Sequence, residues 1–247
     1  MTSTAAGEVD LDFVFESMPR ARMQKYLDAA GHRKVEGALD LYRWNLKAST
    51  ALWEVICHAE VTLRHAVDIS LTERHELLVR KDDWVFYALE DPEGASEMGS
   101  CFEDLSKAYS KVKKRVGQRP SRFKSVADIA ADDVIAAVDF GFWRYMVSKD
   151  KESKFGTRIR RGFDNAPHGK TSNDMAFLRQ VVNPLHTVRN RIAHHEPICF
   201  ESGNFIKNKF DNAIALIGYF DGNLRDWARD QSALDQILET KPYMRRL

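Results

Sequence analysis

Val188-Arg189-Asn190-Arg191-Ile192-Ala193-His194-His195-Glu196-Pro197 puts an arginine, an asparagine and two histidines within seven residues, at the end of an apolar stripe. Leu185, Val188 and Ile192 return at helical spacing and predict one buried helix face. Asn183 has the side chain of an N-cap, and Pro184 suits the first helical position, where its missing N–H costs nothing, so the helix is predicted to begin there. Pro197 disfavours helical geometry at Glu196 and is predicted to end the helix about there, with both histidines in its last turn. Asn190 and His194 are then i,i+4 neighbours on one face, whereas Arg189 lies roughly 140° round the helix from His194. One ideal helix does not aim both at a single atom. Two copies facing each other across a two-fold axis can, which predicts a symmetric homodimer with a composite site.

These residue types have a joint chemistry. Imidazole ordinarily titrates near neutrality, which makes His194 the candidate proton-transfer group. The Arg189 guanidinium offers a planar fork of donors for charge building on phosphoryl oxygens. Asn190 supplies a hydrogen bond that fixes His194 or the phosphate. Together they predict metal-independent RNA cleavage, in which a 2′-hydroxyl attacks its adjacent phosphate and leaves a 2′,3′-cyclic phosphate and a 5′-hydroxyl. No cofactor and no metal ion is expected.

Outward from this strip, the rest of the 247 residues reads as helix. Seven prolines and 13 glycines are few, and 44% hydrophobic with 30% charged residues is ordinary for a globular protein. The expected fold is all-α, a helical bundle over residues 17–247 behind a polar, acidic and disordered tail at 1–16. A short helix is expected after Pro19, ended by Gly31. A long one starts near Arg33 and carries Leu41-Tyr42-Arg43-Trp44-Asn45, Leu52, Ile56, Leu63 and Val67. Further helices are expected over about 96–116, over 126–137, through Phe140-Gly141-Phe142-Trp143, from Ile206 to Phe220, and as a terminal helix holding Trp227, Leu234, Ile237 and Leu238. Gly141 is read as permitting close approach of another helix, and Trp143 as core rather than a base-stacking surface. Residues 149–174 read as a polar, basic and mobile segment placed to hold or gate RNA, or else as an ordinary basic connector.

The net charge is +1, so nucleic-acid affinity must come from local patches. Lys107 to Lys124 holds eight cations and no acid, and its Lys111, Lys113, Lys114, Arg115, Arg119 and Arg122 form the expected RNA-backbone surface, joined by Arg158, Arg160 and Arg161. The bland alternative is a solvated helix end with favourable charges. The three cysteines are widely spaced with no CxxC pair, which argues against zinc and for a reducing, cytoplasmic setting. No signal peptide and no membrane-spanning stretch is expected.

The string from Val188 to Ile198 resembles the Abi-like (abortive-infection) family of the HEPN ribonuclease superfamily, whose shared motif is Arg-(x4–6)-His. Leu41-Tyr42-x-Trp44-Asn45, Glu60-x-x-Leu63-Arg64 and Phe140-Gly141-Phe142-Trp143 match the same family in the same order, so the resemblance spans roughly residues 20 to 230. It implies a HEPN-like domain and catalytic roles for Arg189, Asn190 and His194. It implies supporting positions for Glu60 and Arg64 at the edge of the site. The second histidine, His195, departs from the simple motif and opens an Arg-x5-His reading. The resemblance further implies a bacterial phage-defence, abortive-infection or toxin–antitoxin ribonuclease, with RNA as substrate and an antitoxin or small RNA as a partner.

Four other readings stay open on the residues. The chain could be a non-catalytic RNA-binding protein of the same family, or its motif could be modified or masked by a cognate nucleotidyltransferase-like antitoxin. It could be structural, with Arg189 paired to a carboxylate such as Glu60. Finally, it could be a metal hydrolase using His194, His195 and Glu196, although adjacent histidines on a helix point to different faces.

Overall fold

A computed structural model describes residues 9–31, 34–80, 83–116, 125–167, 171–201 and 204–245. The protein is all-α: among the described residues 78% are helical and no strand occurs. The helices are α1 (Leu11–Glu16), α2 (Arg20–Ala30), α3 (Lys34–Leu77), α4 (Trp84–Glu90), α5 (Pro92–Met98), α6 (Cys101–Val116) and α7 (Ala131–Ala137). They continue with α8 (Phe140–Met146), α9 (Thr157–Arg161), α10 (Ala176–Ala193), α11 (Phe205–Phe220), α12 (Gly222–Gln231) and α13 (Leu234–Glu239). No described helix is long and apolar enough to cross a membrane.

The chain divides into two compact units, each assembled from separated stretches of sequence. The first holds Met1–Glu54, Arg191–Ile206 and Ser232–Leu247, and the second Val55–Asn190 and Lys207–Gln231. In the first unit Tyr26 is buried, with the rings of Tyr42 and Phe200 5.5 and 5.1 Å away. Trp44 is buried as well, and its Nε1 donates to the Ile237 carbonyl at 2.8 Å. Lys241 stands over the Trp44 ring and donates to the Cys199 carbonyl at 3.1 Å. Asn45 is buried, and its Oδ1 accepts from both Ile198 N and Cys199 N, at 2.9 and 3.0 Å. That one side chain satisfies two buried backbone donors directly after the histidine strip.

In the second unit Phe140, Phe142, Trp143 and Met146 of α8 are all buried, as a packing cluster should be, and Trp143 at 0% exposure offers no face to a base. A Cβ on Gly141 would meet His186 Nε2 at 3.7 Å, an ordinary contact, so close helix approach is not what this glycine provides. Arg74 and Arg80 converge on Glu97 at 3.0 and 3.1 Å. Burial pushes the Glu97 carboxyl up, but the hydrogen bonds and charges of the two arginines outweigh it and hold it down at about 2. Lys151 is buried beside them and donates to the Glu97 and Met98 carbonyls that end α5, at 3.2 and 2.6 Å.

Several boundaries differ from expectation. The tail expected to be disordered is helical at α1, where Asp10 caps Phe13 N at 3.1 Å; residues 1–8 lie outside the described part. The helix expected over 96–116 is two, because Gly99 takes φ +53° between α5 and α6. The one expected over 126–137 is a 3-10 turn at Val126–Asp128 followed by α7. The basic connector is helical over 149–161, where Phe155 and Ile159 supply buried side chains that its composition hides. The single terminal helix is α12 and α13, and Trp227 is half exposed.

Candidate active site

The strip lies at the end of α10, which begins two turns before Asn183 and has Pro184 inside it. Its true start is capped by Asp174, whose carboxylate accepts from Ala176 N at 2.8 Å, and by Glu152, which accepts from Met175 N at 3.0 Å. The Asn183-Pro184 pair misleads because Phe177, Leu178, Val181 and Val182 continue the buried face upstream. Burying four apolar side chains outweighs the one backbone bond the proline removes.

The helix also stops sooner than Pro197 requires. It ends at Ala193, and the two histidines lie in the turn beyond it rather than in its last turn. His195 takes φ +58°. Its N–H donates to the Ile192 carbonyl at 2.9 Å, and Glu196 N donates to the Arg191 carbonyl at 2.8 Å. This is a Schellman cap with His194 at the C-cap and His195 in the left-handed position usually held by glycine. Arg191 braces it from the side, reaching Glu196 at 3.3 Å, Glu201 at 2.6 Å and the Pro197 carbonyl at 3.1 Å. His194 and His195 are both exposed.

Arg189 and Asn190 are half-buried members of the second unit, together with Glu60 and Arg64. Glu60 sits 3.2 Å from Arg64 Nη2, and its other oxygen is 3.9 Å from Arg189 Nε, at the outer limit of an ion pair. Burial pushes the Glu60 carboxyl above the ordinary glutamate value. The charges of Arg189 and then Arg64 pull it back without cancelling the effect.

A residue absent from the sequence reading joins this group. The Asn190 amide nitrogen lies 3.5 Å from Nε2 of His186, one turn back along α10. Burial first, then the charges of Arg144 and Arg189, lower the pKa of the His186 imidazole. Arg144 also reaches Asn183, at 3.5 Å. Asn190 is expected to fix His194 or the phosphate; within its own unit its amide nitrogen lies near its i−4 neighbour His186, and its Oδ1 accepts from Arg189 Nη1 at 3.5 Å. Spacing alone marks both histidines as candidates and does not say which way the amide turns.

The proposed RNA-binding residues are scattered. Lys111, Lys113, Lys114 and Arg115 are exposed on the last two turns of α6, with Lys113 over the Tyr109 ring and Lys111 3.6 Å from Asp139. Arg119 and Arg122 lie outside the described residues. Arg161 is exposed on α9 and Arg158 half-buried, while Arg160 is engaged with the Pro167 carbonyl and the Phe177 ring. No group of three or more His, Cys, Asp or Glu among the described residues is placed to hold a metal ion, which leaves the hydrolase reading without a ligand set.

Comparisons with protein families, with curated proteins and with solved structures find no match to this chain.

Proposed function

We propose that the chain is a metal-independent endoribonuclease of the Abi-like, HEPN type, acting in the cytoplasm in phage defence, abortive infection or a toxin–antitoxin pair. The observation that carries this is the strip itself: Arg189 and Asn190 on the last turns of α10, and His194 exposed at the C-cap of the same helix. In the cleavage step His194 takes the proton from a ribose 2′-hydroxyl as O2′ forms its bond to phosphorus. The P–O5′ bond breaks, and the 5′-oxygen leaves with a proton taken from water. Arg189 receives the charge on the non-bridging oxygens. Arg189 lies in the same unit as Glu60, its Nε 3.9 Å from the carboxylate, at the outer limit of an ion pair.

The test is incubation of total bacterial RNA with purified protein in EDTA, beside Arg189→Ala and His194→Ala. The expected result is cleavage with 2′,3′-cyclic phosphate ends and a loss of at least about a hundredfold in each variant. Salt-dependent RNA binding without cleavage, equal in all three proteins, would replace this reading with a non-catalytic RNA-binding protein.

A further inference from the structure

We infer that the pocket beside the histidine turn, within the first unit, takes a single nucleobase of unpaired RNA. This rests on the RNA-cleaving reading and adds to it a place where the substrate is held. The pocket measures about 360 Å³, at the small end of the range that encloses organic ligands. Its walls are apolar: Leu46 and Trp53 from α3, and Ile192 from the end of α10. No lysine or arginine lines it, so it is not built for a phosphate. Its one formally charged wall group, Glu196, is already answered by Arg191 at 3.3 Å. What fits is a neutral, flat heterocycle against an indole, with hydrogen-bonding edges.

The edges are present. Ser49 and Thr50 bring hydroxyls to the lining, and His195 brings an imidazole. Asn45 is more telling. It is 4% exposed, and its Oδ1 is committed to Ile198 N and Cys199 N, which fixes the amide plane. Its Nδ2 is then the end of the amide left to donate, in a direction fixed by the other end. His195 lines the pocket and is bonded in sequence to His194, the proposed proton-transfer group.

The experiment uses 2′-O-methyl oligoribonucleotides, which lack the attacking hydroxyl, so that binding is read apart from cleavage. Fluorescence anisotropy is recorded for the wild-type full chain, Trp53→Ala and Leu46→Asn, against an oligomer with all its bases and the same oligomer made abasic. Leu46 is 41% exposed, so its exchange spares the fold if that of Trp53 does not. Each variant is expected to weaken binding of the intact oligomer about tenfold, as loss of one stacked base does, and to leave binding of the abasic one unchanged. Equal affinities across the three proteins overturn the proposal, as does the same loss on both oligomers. A wild type that discriminates bases through Trp53 yet leaves ordinary RNA intact rejects the nuclease and keeps the pocket. One that cleaves RNA but ignores Trp53 and Leu46 rejects the pocket alone.

Discussion

Glu60 carries a charge its surroundings disfavour. Its folded pKa lies above the ordinary 4.5, so between those values the unfolded chain has released the proton while the folded one keeps it. Stability from this group is present at acidic pH and is lost as pH rises through its folded pKa. Glu60→Gln removes that loss. The melting temperature of the variant relative to wild type should therefore be higher at neutral than at acidic pH, in paired thermal scans. A difference that is flat or reversed with pH would mean that the Arg64 and Arg189 charges dominate the burial. The residue pair Glu60 and Arg189 was legible as a candidate contact, because both stand out in sequence. His186 was not, since a histidine one turn before Asn190 looks like any other on a half-buried face.

At the scale of the element, α10 shows what propensity signals do and do not decide. Its apolar face was legible, and Leu185 and Val188 are fully buried as the spacing requires. Its ends were not. Asn183-Pro184 is good N-cap chemistry overridden by upstream burial, and the C-terminus is set by a Schellman cap that contains no glycine. The backbone at His195 makes a further prediction, because a left-handed residue with a Cβ costs about 1 kcal/mol more than glycine there. His195→Gly should stabilise the protein by about 1 kcal/mol in a denaturant titration. If His194 is the proton-transfer group, cleavage should persist within roughly tenfold, since His195 then serves only the cap and the pocket lining. A variant that is more stable but as inactive as His194→Ala would assign the chemistry to His195 and to the Arg-x5-His spacing.

For the whole molecule, the all-α class was legible in the scarcity of proline and glycine and in the helical periodicity. The grouping of distant segments was not. Residues 191–206 and 232–247 join the first 54, and 207–231 joins 55–190. No local pattern encodes a partition that joins residues 1–54 to stretches more than a hundred residues further along the chain. The boundary passes through the strip between Asn190 and Arg191, so Arg189 and His194 belong to different units of one chain. If two copies complete each other's sites across a two-fold axis, Arg189 of one chain serves His194 of the other. Mixing Arg189→Ala with His194→Ala under conditions of subunit exchange then yields heterodimers with one intact site and one that lacks both groups. Random assortment makes half the dimers heterodimers, so about a quarter of wild-type cleavage should return from two inactive preparations. Sedimentation should show a dimer throughout. If the mixture stays inactive while exchange is verified, each chain carries its own complete site and the composite arrangement is ruled out.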